Sequence, residues 1–266
     1  MAKLKGDLQF TGSLGELSAY KRHDMDTIIV RRKGGASKQR IKKGKEFVNT
    51  RRNMAEFAGR SVTVSYIRRI LWRQKLLADY NFTPVLQGLL KVVQEEDRVS
   101  DWGQRNIYFT KNPQPLEGFS LNRRNVFDSI VRSPVSCTVS KSEGSVTLVI
   151  PSLLPGINFM VPGRYPAYSF VLTLGVLPDF IYNPNGYAPS IKARELPPPV
   201  QHETGWLSCQ QAAPAQAVEL KLNRLPATAP FILMVAVGIR FGTLGPGNEI
   251  EQVKRSGAAK ILCMAG

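Results

Sequence analysis

The sequence predicts an α+β protein that is mostly β, in which a basic N-terminal region with a hairpin and two helices precedes a C-terminal antiparallel β-sandwich. Two observations support this. Short β-branched and aromatic runs separated by Pro and Gly fill the second half of the chain. Fifteen Lys or Arg residues and two acids lie between Arg31 and Lys75, so thirteen of the sixteen net positive charges fall in one segment. We place the domain boundary near Ser133, which separates regions 1–132 and 133–266.

The first elements are short strands. Apolar and β-branched runs at 8–10, 17–20 and 27–31 are separated by glycines and by the polar turn 22–26, which is the pattern of a hairpin. From residue 32 to 45 the composition changes to Lys, Arg, Gly, Ser and Gln. We expect this stretch to be a flexible arm.

A first helix is predicted to start at Asn49 or Thr50, either of which can cap it. Its apolar face consists of Phe57, Val64, Ile67 and Leu71. Arg60 and Arg68 lie near this face, so a neighbouring element has to accommodate them.

A second helix is predicted from Thr83 and Pro84, which suit the cap and the first turn. Its apolar face consists of Val85, Leu86, Leu89, Leu90 and Val93. The acidic cluster at 95–97 follows, and we expect it to pair with the arginines upstream.

Strands are predicted in the second half at 145–150, 167–175, 217–222, 231–241 and 258–264. Turns rich in Pro and Gly separate them, and no helical period intervenes. This succession favours an antiparallel sandwich or barrel.

Catalytic and cofactor motifs are not found. His23 and His202 are the only histidines, and the run Thr11–Gly15 lacks the first glycine of a nucleophile elbow. No glycine-rich run ends in Gly-Lys-Ser/Thr, and no Cys or His pair has the spacing of metal ligands. We therefore predict a protein that is not an enzyme, with no catalytic residue, metal, cofactor or small-molecule substrate.

The three cysteines, Cys137, Cys209 and Cys263, are far apart in the sequence. Their odd number and spacing argue against a disulfide framework. We expect them to be buried thiols.

The basic segment supports two functional hypotheses. The first is a structural or assembly protein, such as a phage-like or surface-assembly subunit, whose arm and helix contact neighbouring subunits in a homo-oligomer or larger assembly. The alternative is nucleic-acid binding, in which the same side chains neutralise phosphates. The predicted contact residues are Arg31, Arg32, Lys33, Lys38, Arg40, Lys42, Lys43, Arg51, Arg52, Arg68, Arg69 and Arg73.

A third hypothesis is a carbohydrate-binding or surface-binding sandwich. It depends on four aromatic side chains that could form a binding platform, namely Tyr165, Tyr168, Tyr187 and Trp206.

Localisation is predicted from two stretches. The N-terminus carries positive charge but no apolar run after it, so no signal peptide is expected. The most apolar stretch, 231–239, is about half the length of a membrane-spanning helix and is predicted to be a buried strand. We therefore expect a protein that is cytoplasmic as synthesised, with no membrane span.

Five segments, 10–21, 28–35, 50–57, 77–80 and 121–128, together resemble a family of uncharacterised proteins of Bacteroidota bacteria. The resemblance covers about the first half of the chain. The family has no established activity, so the resemblance implies no site residues. It implies a bacterial or phage-associated structural protein rather than a familiar class of enzyme.

Overall fold

A computed structural model describes residues 2–4, 10–22, 25–247 and 249–266. The chain forms two compact units, unit 1 (residues 1–51) and unit 2 (residues 52–266). The boundary predicted near Ser133 falls inside unit 2.

Unit 1 contains a four-stranded antiparallel sheet, in the order β1-β4-β3-β2. Its strands are β1 (Ala2–Leu4), β2 (Gly12–Leu14), β3 (Leu17–Lys21) and β4 (Ile28–Arg32). The predicted hairpin runs at 17–20 and 27–31 correspond to β3 and β4. Most of the predicted strand at 8–10, and His23 with Asp24 in the turn, lie outside the described residues.

The segment predicted as a flexible arm contains a short helix. β4 continues to Arg32, α1 spans Lys38–Lys43, and a 3-10 helix follows at Lys45–Phe47. Ser37 Oγ accepts a hydrogen bond from the Arg40 backbone N–H and so caps α1. The prediction from composition did not take account of this cap.

Unit 2 is built from most of α2 (Val48–Ile70) and the elements that follow. The helices after α2 are the 3-10 helix Gln74–Leu77, α3 (Thr83–Glu95), the 3-10 helix Gln114–Leu116 and α4 (Phe127–Ile130). The strands are β5 (Ser136–Ser140), β6 (Ser145–Ile150), β7 (Ala167–Pro178), β8 (Phe180–Asn183), β9 (Gly186–Pro189), β10 (Val200–Glu203), β11 (Leu207–Ser208), β12 (Gln216–Lys221), β13 (Phe231–Leu244) and β14 (Ile250–Ala265).

Two antiparallel sheets of unit 2 face each other, which confirms the predicted sandwich. The larger sheet has the order β10-β7-β13-β14, with β11 also paired to β7, and the smaller has the order β12-β6-β5. One core fills the space between them, to which Leu172 of β7 and Val235 of β13 contribute from one side. Leu148 of β6 and Leu220 of β12 contribute from the other.

The second face of the larger sheet is covered by helices. Leu71 and Leu86 share a core with Val171 of β7 and Met234 of β13. Successive side chains of a strand point to opposite faces, so β7 and β13 serve both cores, and all twelve residues of β7 are buried. Residues on both sides of Ser133 therefore share one core, which explains why the units do not divide there.

One residue of the predicted apolar face of α2 is exposed to solvent instead of buried. Ile67 is fully buried, but Phe57 is 51% exposed. The buried positions in the first half of α2 are Glu56 and Gly59 instead. Polar contacts, rather than apolar packing, hold that part of the helix.

In the described part of the chain, no helix has both the length and the apolar character that crossing a membrane requires.

Candidate functional site: a basic cleft

A cleft of about 780 Å³ lies on the surface of unit 2. Three parts of the chain line it: Arg68 near the end of α2, the segment from Lys75 to Thr83, and Gln252, Lys254 and Arg255 of β14. We call this the basic cleft.

The β14 side of the basic cleft is shaped by a bulge. Gly242 of β13 pairs with Gln252, but Arg240 pairs with Gly257, so residues 253–256 have only Phe241 opposite them. Arg255 has a φ of 57°, which non-glycine residues seldom adopt. Bulges redirect side chains out of the regular alternation of a strand. This one places Lys254 and Arg255 in the wall of the cleft.

The two walls are joined beneath the cleft by Asn122, which is 3% exposed. Its Nδ2 donates to the carbonyls of Leu77 and Gly257, at 2.8 and 3.1 Å. Its Oδ1 accepts from the Ala259 backbone N–H at 2.9 Å. Because a buried amide with these bonds resists displacement, Asn122 fixes the segment after α2 against β14.

The charge of the cleft is strongly positive. Arg68, Lys75, Lys254 and Arg255 line it, and none of these four has an ion-pair partner among the residues that the structure describes. The one carboxylate in the described lining, Asp79, accepts backbone N–H groups of Arg123 and Arg124 at 2.8–3.1 Å. The Asp79 carboxylate is therefore hydrogen-bonded to backbone groups and not to any of the four cationic side chains that line the cleft.

Two further features suit an anionic ligand with an aromatic part. Arg68 Nε is buried and has no hydrogen-bond partner among the described residues, so it retains a free donor. Tyr80 lines the same cleft, and the guanidinium of Arg123 lies 4.3 Å from the centre of its ring. A ligand with a hydrogen-bond acceptor near Arg68 Nε would supply the partner that this buried donor lacks.

The predicted contact residues of unit 1 are exposed, apart from half-buried Arg51, but several are engaged within that unit. Arg32 pairs with Glu16, and Arg40 pairs with Glu46 at 2.9 Å. Arg51 Nη1 donates to the carbonyls of Ile41 and Gly44, each at 2.8 Å. Arg31 lies over the Tyr20 ring, and the Lys33 ammonium donates to the Gly15 carbonyl. The remaining predicted contacts of this unit are exposed to solvent, namely Lys38, Lys42 and Lys43.

The predicted contact residues of unit 2 are dispersed. Arg68 lines the basic cleft, whereas Arg73 pairs with Glu203 at 3.4 Å. Arg52 lies over the Trp102 ring and Arg69 over the Tyr66 ring. The structure therefore brings one of these four predicted residues into the cleft.

Three cationic residues of the cleft were not among the predicted contacts. Lys75 is at the end of the basic segment and could have been found by its position there. Lys254 and Arg255 are far from it in the sequence, and only the adjacent basic pair in a strand-like stretch could have drawn attention to them.

A second polar site surrounds Glu56, which is 3% exposed. Its carboxylate accepts two bonds from Arg105, both at 2.7 Å, and one from the Gly103 backbone N–H at 2.9 Å. Burial alone raises the pKa of Glu56, but the bonds from Arg105 and Gly103 outweigh it and lower that pKa below its usual value. Bidentate pairing leaves this carboxylate no obvious chemical role beyond structure.

The acidic cluster at 95–97, predicted to pair with upstream arginines, forms no ion pair with them among the described residues: Glu95 pairs with Lys91, and Glu96 pairs with Arg98. Gln94, not an acid, accepts a bond from Arg60 at 2.7 Å. Asp97 instead accepts backbone N–H groups of Val99, Ser100 and Asn106. Arg60, which the sequence left without a partner, is thus accommodated by α3.

The aromatic platform predicted for a carbohydrate is not formed. Tyr168 is fully buried, and Tyr165 stacks on Phe241 with ring centres 5.1 Å apart. The Tyr187 hydroxyl donates to the Arg105 carbonyl, and Arg240 lies over Trp206. These rings are engaged in packing, so they do not present a shared face.

No cluster of three or more His, Cys, Asp or Glu side chains within the described ranges could hold a metal ion. Comparisons with protein-family models, with curated proteins and with solved structures found no match to this chain.

Proposed function

We propose that this chain is a non-enzymatic nucleic-acid-binding protein whose phosphate contacts include the basic cleft. The observation that carries the proposal is that one cleft is lined by four cations that have no ion-pair partner among the described residues, while its described carboxylate is engaged elsewhere. Clefts lined by charge of one sign concentrate counter-ions, so the phosphate backbone is a suitable ligand. Tyr80 lines the cleft with Arg123 over one face of its ring, so a base that stacks on Tyr80 has to use the opposite face.

The experiment measures binding of a fluorescent single-stranded oligonucleotide by anisotropy between 50 and 200 mM salt. For the variant Lys75→Gln with Lys254→Gln, we expect roughly tenfold weaker binding at the lowest salt. The slope of log affinity against log salt should fall by about 1 to 2, because two phosphate contacts are lost.

The matched control is the double variant Lys192→Gln with Lys221→Gln, two exposed lysines outside the basic cleft. It removes the same charge and should change the salt slope little. Equal effects of the control and the cleft variant would show that only overall charge matters. Binding that is absent or insensitive to salt would refute nucleic-acid binding altogether.

Assembly through a second copy of the chain is the alternative function, favoured by a separate observation. Met54 and Phe57 of α2 are 59% and 51% exposed and lie three residues apart, so they are neighbours on the helix surface. Exposed large apolar side chains that adjoin one another are common at subunit interfaces.

Light scattering over a range of concentrations tests this alternative. An oligomer that dissociates in the variant Met54→Gln with Phe57→Gln, but not in the control Val99→Gln, would support it; Val99 is 96% exposed on a loop. A wild-type protein that remains a monomer at every concentration would exclude it.

A further inference from the structure

Two of the three cysteines meet at one side of the sandwich. Cys137 lies on β5, Cys263 lies on β14, and their Sγ atoms are 2.9 Å apart although 126 positions separate them in the chain. A disulfide bond is about 2.05 Å long, so the sulfur atoms need to approach by less than about 1 Å to form one. All three cysteines are free thiols; Cys209 is buried as expected, whereas Cys137 and Cys263 are half-buried and contact each other.

The position of the pair in the sheets is distinctive. β5 is at the end of the smaller sheet and β14 is at the end of the larger one. Both cysteines are half-buried and pack against the core that the two sheets share. A bond between them would join the sheets at one open side of the sandwich.

The third cysteine provides an internal contrast. Cys209 is 5% exposed, and burial raises the pKa of its thiol to about 11. In the pair, the hydrogen bond from Cys263 lowers the pKa of Cys137, and the same contact raises the pKa of Cys263. The thiolate is the reactive form, so Cys137 is the better nucleophile of the two.

We propose that Cys137 and Cys263 form a reversible intramolecular disulfide that ties the two sheets together when the protein meets a small-molecule disulfide. The Cys137 thiolate attacks one sulfur of the oxidant, which breaks its S–S bond, releases one thiolate and leaves a mixed disulfide on Cys137. Cys263 loses its proton and attacks the Cys137 sulfur, which releases the second thiolate. The protein loses two protons and two electrons, which together reduce the oxidant to two thiols.

The test incubates the reduced, folded protein with oxidised glutathione, blocks the remaining thiols by alkylation and measures the intact mass. We expect the wild type to lose two hydrogens, to keep one alkylatable thiol and to give a cross-linked peptide containing Cys137 and Cys263. Dithiothreitol should restore all three thiols. The Cys209→Ser control should still form the cross-link.

Single variants separate the two steps. Cys263→Ser should stop at one attached glutathione on Cys137, because no second thiol can displace it. Cys137→Ser should form no internal cross-link and should take up at most one glutathione at this site, on Cys263. The oxidised wild type should also melt about 5 °C or more above the reduced form, since the bond closes a long loop.

Four results would overturn the proposal. The folded wild type could keep three free thiols under conditions in which the urea-unfolded chain reacts. It could accumulate glutathione without an internal cross-link, or cross-link only between chains. An oxidised form that melts no higher than the reduced one would show that the bond does not tie the sheets together.

Discussion

At the scale of single residues, Glu56 shows how a buried charge is stabilised. Its carboxylate is almost fully buried but accepts three hydrogen bonds, two of them from Arg105. Removing one partner of a buried ion pair leaves the other charge unpaired, which costs far more than losing an exposed pair. The pair should therefore matter for the stability of unit 2.

We expect Glu56→Gln to lower the free energy of unfolding of unit 2 by about 2 kcal/mol or more at pH 7. All three tryptophans, Trp72, Trp102 and Trp206, lie in unit 2, so urea unfolding followed by tryptophan fluorescence measures this unit. The control Glu95→Gln removes an exposed pair with Lys91 and should change stability by about 0.5 kcal/mol at most.

The same substitution has a defined pH dependence. Because the pKa of Glu56 is lower in the folded protein than its ordinary 4.5, its contribution is complete above that value and is lost as the pH falls below it. The difference in stability between wild type and Glu56→Gln should therefore shrink between pH 6 and pH 3. A difference that is constant over this range would show that the charge of Glu56 does not contribute.

Glu117 affects the thiol pair through its charge. The hydrogen bond between the two thiols is the main cause of both pKa shifts, and the charge of the Glu117 carboxylate adds a smaller contribution that opposes ionisation of Cys137 and Cys263. Its Oε1 also accepts the Met264 backbone N–H at 2.9 Å, which a glutamine oxygen can replace. We expect Glu117→Gln to speed the reaction with oxidised glutathione at neutral pH by up to severalfold, with no change in stability beyond about 0.5 kcal/mol. A slower reaction would contradict this.

At the scale of elements, the bulge of β14 depends on Gly257. Its φ is 150°, and a Cβ at this position would lie 2.4 Å from the Ile239 carbonyl oxygen. Leu77 also lies close, at 3.3 Å. A side chain would therefore push β14 away from both β13 and the segment that lines the basic cleft.

We expect Gly257→Ala to lower the free energy of unfolding of unit 2 by about 1–3 kcal/mol. Gly205→Ala is the control, because a Cβ there would meet nothing within 4 Å. Urea unfolding of both variants measures the difference. Equal midpoints for the two would mean that β14 adjusts its path without cost.

The strands of the sandwich were the elements that the sequence predicted best. β6 has the predicted bounds because its apolar residues alternate, with Leu148 and Ile150 buried and Thr147 and Val149 exposed. β13 and β14 extend beyond the predicted ranges because pairing with each other continues past their apolar runs. The helix at Lys38–Lys43 was missed because its composition is that of a loop, and only the Ser37 cap indicates it.

At the scale of the whole molecule, the two units differ in the size of their cores. The buried cluster of unit 1 comprises Ala19, Ile28 and Val30, packed by Phe10. Unit 2 contains two large clusters of buried hydrophobic residues, one on each face of the larger sheet. Local stability follows buried apolar contact, so unit 1 should open at a lower cost.

Limited trypsin digestion checks this. We expect the first cuts to fall between Arg31 and Lys45, where the basic side chains are mostly exposed, and to leave a fragment that contains residues 52–266. Mass spectrometry of the early products identifies the sites. First cuts at Lys254 or Arg255 would show instead that the bulge of β14 opens before unit 1 does.

The basic cleft and the cysteine pair were beyond sequence reasoning for the same physical reason. Arg68 of α2 and Arg255 of β14, like Cys137 of β5 and Cys263 of β14, are brought together by the packing of elements that are distant in the chain. The charge imbalance predicted an anion-binding surface in the basic segment, but not that two of the four cations of the cleft, Lys254 and Arg255, would come from β14. Composition gives the number of cations, whereas the register of β13 with β14 and the packing of the segment after α2 determine which cations line the cleft.

The bulge of β14 also bears on how this protein avoids unwanted association. β14 is a sixteen-residue edge strand of the larger sheet, and the unpaired backbone groups of a long edge strand can pair with strands of other chains. Near the C-terminal end of β14, the backbone N–H groups of Gly118 and Leu121 donate to the carbonyls of Ile261 and Ala259, so these edge groups are already paired. Further toward its start, the bulge and two adjacent cations interrupt the regular ladder. The irregularity that shapes the cleft thus also protects the molecule against edge-to-edge aggregation.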